Sequence, residues 1–345
     1  MRSTMMDAVV FEGEGRSEFV KKPVPEIKKG SDVLIRIEIV SICGSDLHAL
    51  SVPPAFPAKP GVILGHELVG IVEEIGTDVA SVAVGDRVIL DPNVPCGSCY
   101  YCKCGKPNMC ENIQALGFDI DGAFAQYVIC PESLMMKISK EIPLERAMFA
   151  EPMNCVYGAI KKIRLLAGET VLVLGAGPIG LLFAQLLKAN GAGKIFVSEV
   201  SPFRQEFARK VGVTEVFDPT KQNLQEEIYK ATDGRGVNVT VDAAGSLIVD
   251  AINCTGRGGR IVIFGVNFSK QQTISQSQLV MKELSVFGNY IGDFTIPDVA
   301  TVLENELIKP EILITHKLPL RKIQDGLDDM RQGKAMKVAL YPWKE

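Results

Sequence analysis

Two sets of thiol, imidazole and carboxylate side chains in the first half of the chain have the types and spacing to hold metal ions. Cys43 is followed at long range by the adjacent pair His66-Glu67, a set that only folding can assemble. Cys96, Cys99, Cys102 and Cys110 instead form a local run, with two, two and seven residues between successive thiols. Such a run lets four thiolates converge without long-range folding, and a closed tetrahedral zinc site suits it. A C-x2-C-x2-C start also opens ferredoxin-type iron–sulfur runs, but those need a fourth cysteine four positions later, followed by proline. Here Cys104 comes too soon and Glu111 follows Cys110, so zinc is favoured. Cys104 lies off the spacing and takes no role.

Downstream stands Gly175-Ala176-Gly177-Pro178-Ile179-Gly180, between the apolar run 171–174 and a helical stretch. In that context Gly175 permits the sharp turn, Gly177 lets a pyrophosphate approach the backbone, and Gly180 lets helix pack on strand. The helix dipole and the exposed amides of the turn favour the phosphate charge, and Pro178 and Ile179, which open the helix, belong to the cofactor-binding set. Glu199 ends the next strand, where a carboxylate can accept from ribose hydroxyls and repel a 2′-phosphate, so NAD is expected over NADP. Arg204, a helical turn on, is placed to stack near adenine, and the cofactor set also takes in Gly265 and Val266. A metal beside a nicotinamide points to alcohol–carbonyl redox chemistry.

The elements that must position these groups fall into two halves. At 345 residues the chain is natural for two domains. The first ~150 residues read as short strands with Gly and Pro turns, among them 33–40, where Ile35, Ile37 and Ile39 alternate with Arg36 and Glu38. Stretches 69–75 and 86–90 read the same way. From Glu169 strands and helices alternate: strands at 170–174, 194–198, 215–217, 237–242 and 260–264, with helices at 178–190, after Ser201, at 222–231 and from Ser246. That pattern predicts a parallel, doubly wound sheet. It fades after about Phe287, where the chain is expected to return to the first half and end in a helix at 320–331 and a strand at 337–341.

With 47% hydrophobic and 23% charged residues and a net charge of −4, neither disorder nor a nucleic-acid surface is indicated. The densest basic stretch, 21–29, is broken by Pro23 and Pro25. Residues 1–10 carry Arg2 and Asp7 and do not read as a signal peptide, and the nearly uncharged run 171–187 divides into strand, turn and helix rather than a membrane span. A cytoplasmic location is therefore expected, where nine cysteines serve better as ligands or buried apolar groups than as disulfides.

Cys43-Gly44-Ser45-Asp46-Leu47-His48 and Gly65-His66-Glu67 closely resemble the catalytic-zinc motifs of the zinc-dependent medium-chain dehydrogenases. With the cysteine run and the glycine loop, the resemblance covers essentially the whole chain in the right order. It implies an α/β protein: a GroES-like β-rich catalytic domain (1–153, with 287–345 returning to it) and a Rossmann NAD-binding domain (154–286), with the active site in the cleft between. It implies two zinc ions per chain, a catalytic one on Cys43, His66, Glu67 and Glu151 and a structural one on the four-cysteine run. Glu151, in Ala150-Glu151-Pro152, looks like the corresponding ligand of sorbitol and other polyol dehydrogenases, and Cys155 is read as buried structure. Ser45 and His48 match the family's proton relay, whereas His316 has no motif around it. Three anions, Cys43, Glu67 and Glu151, against a dication imply that one carboxylate is labile.

The implied activity is hydride transfer between NAD and a secondary alcohol or ketone, a polyol, sugar alcohol or its phosphate first. L-Threonine 3-dehydrogenase and simple secondary alcohol or diol dehydrogenase are alternatives. The aromatic and the arginine with which sorbitol dehydrogenases face polyol are replaced by Ala49 and Ile291, while Phe118, Asp119 and Tyr290 are candidates to line the substrate site. A different class, a non-catalytic NAD-responsive zinc protein, would have no use for the intact reactive residues. A quinone or enone reductase of the same superfamily would lack both zinc sites. Relatives assemble as homodimers or homotetramers, and no nucleic-acid or membrane partner is expected.

Overall fold

The computed structural model describes residues 3–345; Met1 and Arg2, at the start of the stretch read as no signal peptide, lie outside them. The chain divides into two compact units. One holds residues 1–154, 292–306 and 314–345, the other residues 155–291 and 307–313.

The first unit is built on a seven-stranded sheet. Its centre is Asp32–Ser41, which pairs antiparallel with Glu67–Ile75, Tyr127–Pro131 and Lys337–Tyr341. The alternation of Ile35, Ile37 and Ile39 with Arg36 and Glu38 suits a strand with one wet face. Three partners cover it, however, and only Arg36 and Glu38 escape full burial. The wetter face survives only where those two ion pairs form, Arg36 with Glu73 and Glu38 with Arg87. The C-terminal strand Lys337–Tyr341 is buried along its whole length, with Ala339 opposite Ser41. Residues 320–331 begin as a 3-10 turn, Leu320–Lys322, before the α-helix Ile323–Arg331.

The second unit carries a six-stranded, all-parallel sheet in the order Glu215–Phe217, Lys194–Ser198, Thr170–Leu174, Val237–Asp242, Thr255–Ile263, Ser285–Gly288. The order reverses beside Thr170–Leu174. Ligands of doubly wound folds bind at the carboxyl ends of strands at such a switch point. The apolar run 171–187 resolves into the strand Thr170–Leu174 and the helix Pro178–Ala189. Among the described residues no helix is long and apolar enough to cross a membrane. The last strand, Ser285–Gly288, was not legible as an element of this alternation: it is short, lies at a sheet edge and keeps no residue fully buried, so it has no apolar run to mark it.

Candidate active site

The strand Asp32–Ser41 runs directly into Cys43, the N-cap of the short helix Gly44–Ala49. Asp46 closes the capping box, its Oδ2 accepting the Cys43 amide at 2.8 Å, which fixes the thiol's backbone. His66 arrives from the other side, after Gly65. Gly65 has φ +88°, and a Cβ there would run into the Phe124 ring. A Cβ on Gly117 would come within 2.8 Å of the Gly65 carbonyl oxygen, so backbone packs on backbone beneath the histidine. The Cys43 sulfur, a His66 ring nitrogen and a Glu67 oxygen lie within 4.8 Å of one another.

Asp46 does a second job. Its Oδ1 lies 3.6 Å from His66 Nδ1, and both atoms are buried without a hydrogen bond. The other ring nitrogen, Nε2, faces Ser45 Oγ at 3.3 Å. A carboxylate behind one imidazole nitrogen, with a thiol and a second carboxylate also within reach of the ring, is the arrangement of a metal-binding histidine. These residues fit a zinc ion, with Cys43, His66 and Glu67 as its donors. Asp46→Asn will weaken zinc at this centre roughly 10–100-fold, read by competition with a chelator, while the four-thiol lobe keeps its ion.

The electrostatics agree with that reading. Burial, and next the charge of Glu67, push the Cys43 thiol up. Burial opposes charge on His66, but Asp46 and Cys43 outweigh it and the net shift is well upward. Burial likewise opposes the charge on Glu67. Lys337 and His66 override it, so the carboxylate stays ionised. Lys337 is only 3% exposed and donates to Glu67 Oε2, which also accepts from Ser41 Oγ.

Sequence reasoning missed Asp46, Ser41 and Lys337. Asp46 carried a signal, a carboxylate three residues after a helix N-cap. Lys337 carried a weaker one, a charge opening an otherwise apolar strand.

The remaining residues expected at this centre are distributed as follows. Glu151 is buried in the first turn of the helix Ala150–Ile163, close enough for its charge to act on Lys337, but it does not join the three-donor group. Ser45 and His48 lie on the same helix, with the His48 ring exposed and 6.1 Å from Phe56. The Phe118 ring packs 5.5 Å from that of His66. Tyr290 belongs to the second unit and is half exposed. His316 pairs with Asp329 at 3.4 Å, and Cys155 accepts a backbone hydrogen bond from Asn289; neither joins a metal group.

The sulfurs of Cys96, Cys99, Cys102 and Cys110 also lie within 4.8 Å of one another. A two-residue ladder, Asn93–Val94 with Gln114–Ala115, closes the base of this loop. Backbone amides aim at the sulfurs: Cys96 N donates to Cys110 Sγ at 3.2 Å and Cys99 N to Cys96 Sγ at 3.4 Å. The Ser98 amide and hydroxyl bring Cys96 down to about 5, so a thiolate is available at neutral pH. This donor set fits a structural zinc; Cys104 is exposed and stays outside it.

In the second unit Gly175, at φ +98°, ends the strand Thr170–Leu174 and begins the turn. Gly177 caps the helix Pro178–Ala189, and a Cβ there would meet nothing, which leaves the open cradle a pyrophosphate needs. A Cβ on Gly180 would strike the Gly175 carbonyl oxygen. Glu199, buried at 6%, accepts from Ala176 N at 2.7 Å and Ser201 N at 2.9 Å, so its charge sits against the loop. Arg204 lies half-buried in the first turn of Pro202–Lys210. Gly265 packs against the backbone of Gly245, leaving Val266 about half exposed. The loop fits a dinucleotide.

Comparison with known proteins places the chain in a family. Residues 29–140 match the alcohol dehydrogenase GroES-like domain, and residues 178–306 the zinc-binding dehydrogenase domain. The chain is 36% identical to an L-threonine 3-dehydrogenase of Caldanaerobacter subterraneus subsp. tengcongensis, over 98% of this chain and 99% of that one. It is 32% identical to a sorbitol dehydrogenase of Bacillus subtilis, over 98% and 97%. A zinc-binding dehydrogenase of Sinorhizobium meliloti, solved with NADP, superposes with a TM-score of 0.93 at 32% identity, covering 99% of this chain and all of that one. Thiol, imidazole and carboxylate donors at one end of a β-sheet, a dinucleotide loop at the switch point of another, and relatives matched from end to end lead to one conclusion: the chain belongs to the zinc-dependent medium-chain dehydrogenase/reductase family, in the branch of the sorbitol and threonine dehydrogenases, and is a nicotinamide-linked alcohol dehydrogenase.

Proposed function

We propose that the protein oxidises a neutral secondary alcohol, a polyol or sugar alcohol first, with NAD as the acceptor, and reduces the matching ketone in reverse. The observation that carries this is the gathering of Cys43, His66 and Glu67 beside an aromatic wall, Phe118, in a chain whose second unit holds a dinucleotide loop. When bound, zinc on Cys43, His66, Glu67 and Glu151 supplies a Lewis acid for the substrate oxygen, and NAD supplies the hydride acceptor. The chain's own residues do the rest. Asp46 orients His66, and Ser45, half-buried beside it, takes the hydroxyl proton and passes it toward His48 at the surface. Phe118 excludes water from one side of the donors.

The neighbourhood of Phe118 supports a neutral substrate. Lys59, whose amide donates to the Phe118 carbonyl, pairs its ammonium with Asp119 at 3.3 Å. L-Threonine is the second reading, favoured by the higher identity to a threonine dehydrogenase. Glu199 against the loop supports NAD over NADP, because a 2′-phosphate would meet its charge. A homodimer or homotetramer is supported by the edge strand Ser285–Gly288 and the exposed Val280 and Met281 that precede it. We place the enzyme in the cytoplasm, on the reduced state that its metal-binding thiols require.

The test is cofactor reduction with sugar alcohols, their phosphates, short diols and L-threonine, each with NAD and NADP. The expected result is turnover of a neutral secondary alcohol, with kcat/KM for NAD at least about tenfold above that for NADP, the size of effect one misplaced charge produces. Turnover of L-threonine alone selects the second reading, and reduction with neither cofactor overturns both.

A further inference from the structure

The parallel sheet changes direction between Thr170–Leu174 and Val237–Asp242. A doubly wound fold of this kind is two mononucleotide-binding halves, one on each side of that point. Glu199, just past the strand Lys194–Ser198, belongs to the half that takes adenosine. The other half begins with the strand Val237–Asp242, which ends on a buried acid, Asp242, only 1% exposed. A carboxylate is costly there unless donors meet its oxygens. Backbone amides meet both. Oδ1 accepts from Ala244 N at 3.0 Å and Gly245 N at 2.7 Å, and Oδ2 from Leu247 N at 2.8 Å. The main-chain carbonyl of the same residue accepts from Phe264 N and Gly265 N, each at 3.0 Å. Asp242 thus gathers two loops, 243–247 after its own strand and 264–265 after the neighbouring strand Thr255–Ile263.

These loops pack on each other and on the glycine turn. Ala243 N donates to the Leu174 carbonyl at 3.1 Å. A Cβ on Gly175 would rest 3.6 Å from Ala244 Cβ. Gly245 has φ +75°, and a Cβ on it would strike the Gly265 backbone. Residues 243–245 are therefore a spacer between Gly175 and Gly265, two members of the cofactor set, and the Asp242 carboxylate holds the spacer in shape. We propose that Asp242 is a positioning residue for the nicotinamide half of the cofactor: it fixes the loop 243–247, and through it Gly265-Val266, and leaves the adenosine half to Glu199. This deepens the reading of the glycine loop as a dinucleotide site and rests on it. The fold also supplies a control. The loop leads into the seven-residue helix Ile248–Cys254, which is too short to persist alone. Asp242 lies at its N-terminal end; at the other end the Lys282 ammonium donates to the carbonyls of Ile252, Asn253 and Thr255 at 2.8, 3.2 and 2.9 Å. Both charges suit the helix dipole, but only Asp242 also holds the loops.

The experiment is a fluorescence titration of the full chain with NADH and, by competition, with AMP, which fills the adenosine half alone. Steady-state rates and thermal unfolding accompany it. In Asp242→Asn the side chain keeps one acceptor oxygen and turns an N–H toward a backbone N–H. NADH affinity should fall about tenfold, the effect of one amide left unsatisfied in a buried turn, while AMP affinity stays within about twofold. KM for NAD should rise in step, with kcat at saturating NAD near its unaltered value. Gly245→Ala presses the spacer on Gly265 without touching the carboxylate and should give the same pattern, so it carries the test if Asp242→Asn does not fold. Lys282→Met should lower the midpoint of unfolding yet leave NADH affinity within about twofold. Equal losses for AMP and NADH overturn the proposal, as does a loss in Lys282→Met as large as in Asp242→Asn, because either result makes Asp242 a support of the fold alone. Unchanged NADH affinity in both loop variants overturns it too. Failure of the unaltered protein to bind NADH would instead overturn the dinucleotide reading itself.

Discussion

Cys43→Ser will leave a folded protein with one zinc per chain in place of two and will lower kcat/KM by roughly 10^3 or more. The first part follows from the separation of the two donor sets. The four thiols of residues 96–110 close on themselves above a two-residue ladder and need nothing from Cys43, so that lobe keeps its ion. The second part follows from chemistry: a Lewis acid at the reacting oxygen contributes several kcal/mol of transition-state stabilisation, and each ~1.4 kcal/mol is a factor of ten. Serine occupies the same helix N-cap as well as cysteine does, so the helix Gly44–Ala49 and its Asp46 cap should survive. Metal analysis beside steady-state rates checks this. Undiminished turnover with one zinc per chain would remove Cys43 from the active site.

Gly180→Ala will raise the KM for NAD about tenfold or more while far-UV circular dichroism stays that of the unaltered protein. Many dinucleotide loops accept alanine at the third glycine. This one has no room, since the new Cβ would strike the Gly175 carbonyl oxygen and come within 3.3 Å of Val173 Cγ1. Backbone oxygen cannot rotate away as a side chain can, so the helix Pro178–Ala189 must lift from its strand, at about 1–3 kcal/mol for an overpacked contact. Lifting it displaces the amides that would receive the pyrophosphate. Cofactor titration by fluorescence, with thermal unfolding for stability, measures both consequences. Gly177→Ala makes the contrast: its Cβ meets no protein atom, so any loss there comes from the ligand's space alone. An unchanged KM in Gly180→Ala would show that this packing does not set cofactor affinity.

The two predictions differ in how far the sequence alone could have led to them. The cysteine run and the glycine loop are local. Their spacing along the chain is nearly their spacing in space, so four thiols and a strand–turn–helix could be read directly, and five of the six strands of the parallel sheet were legible as short apolar stretches between turn residues. The exposed edge strand Ser285–Gly288 had no such run and escaped. Cys43 and His66 were legible as candidate donors by type, but that they meet rested on the resemblance to a known motif, since nothing in the residues between them specifies it.

What the amino-acid sequence determined unaided was which donors exist and which of them are neighbours by covalent geometry. Tertiary structure alone decided the partner of Glu67. Lys337 lies 270 residues away, and a lysine opening an apolar strand reads as an end marker until sheet order puts that strand beside Asp32–Ser41. The physical reason is that a buried charge has no local signature: its partner is chosen by strand order and register, and those are properties of the whole sheet.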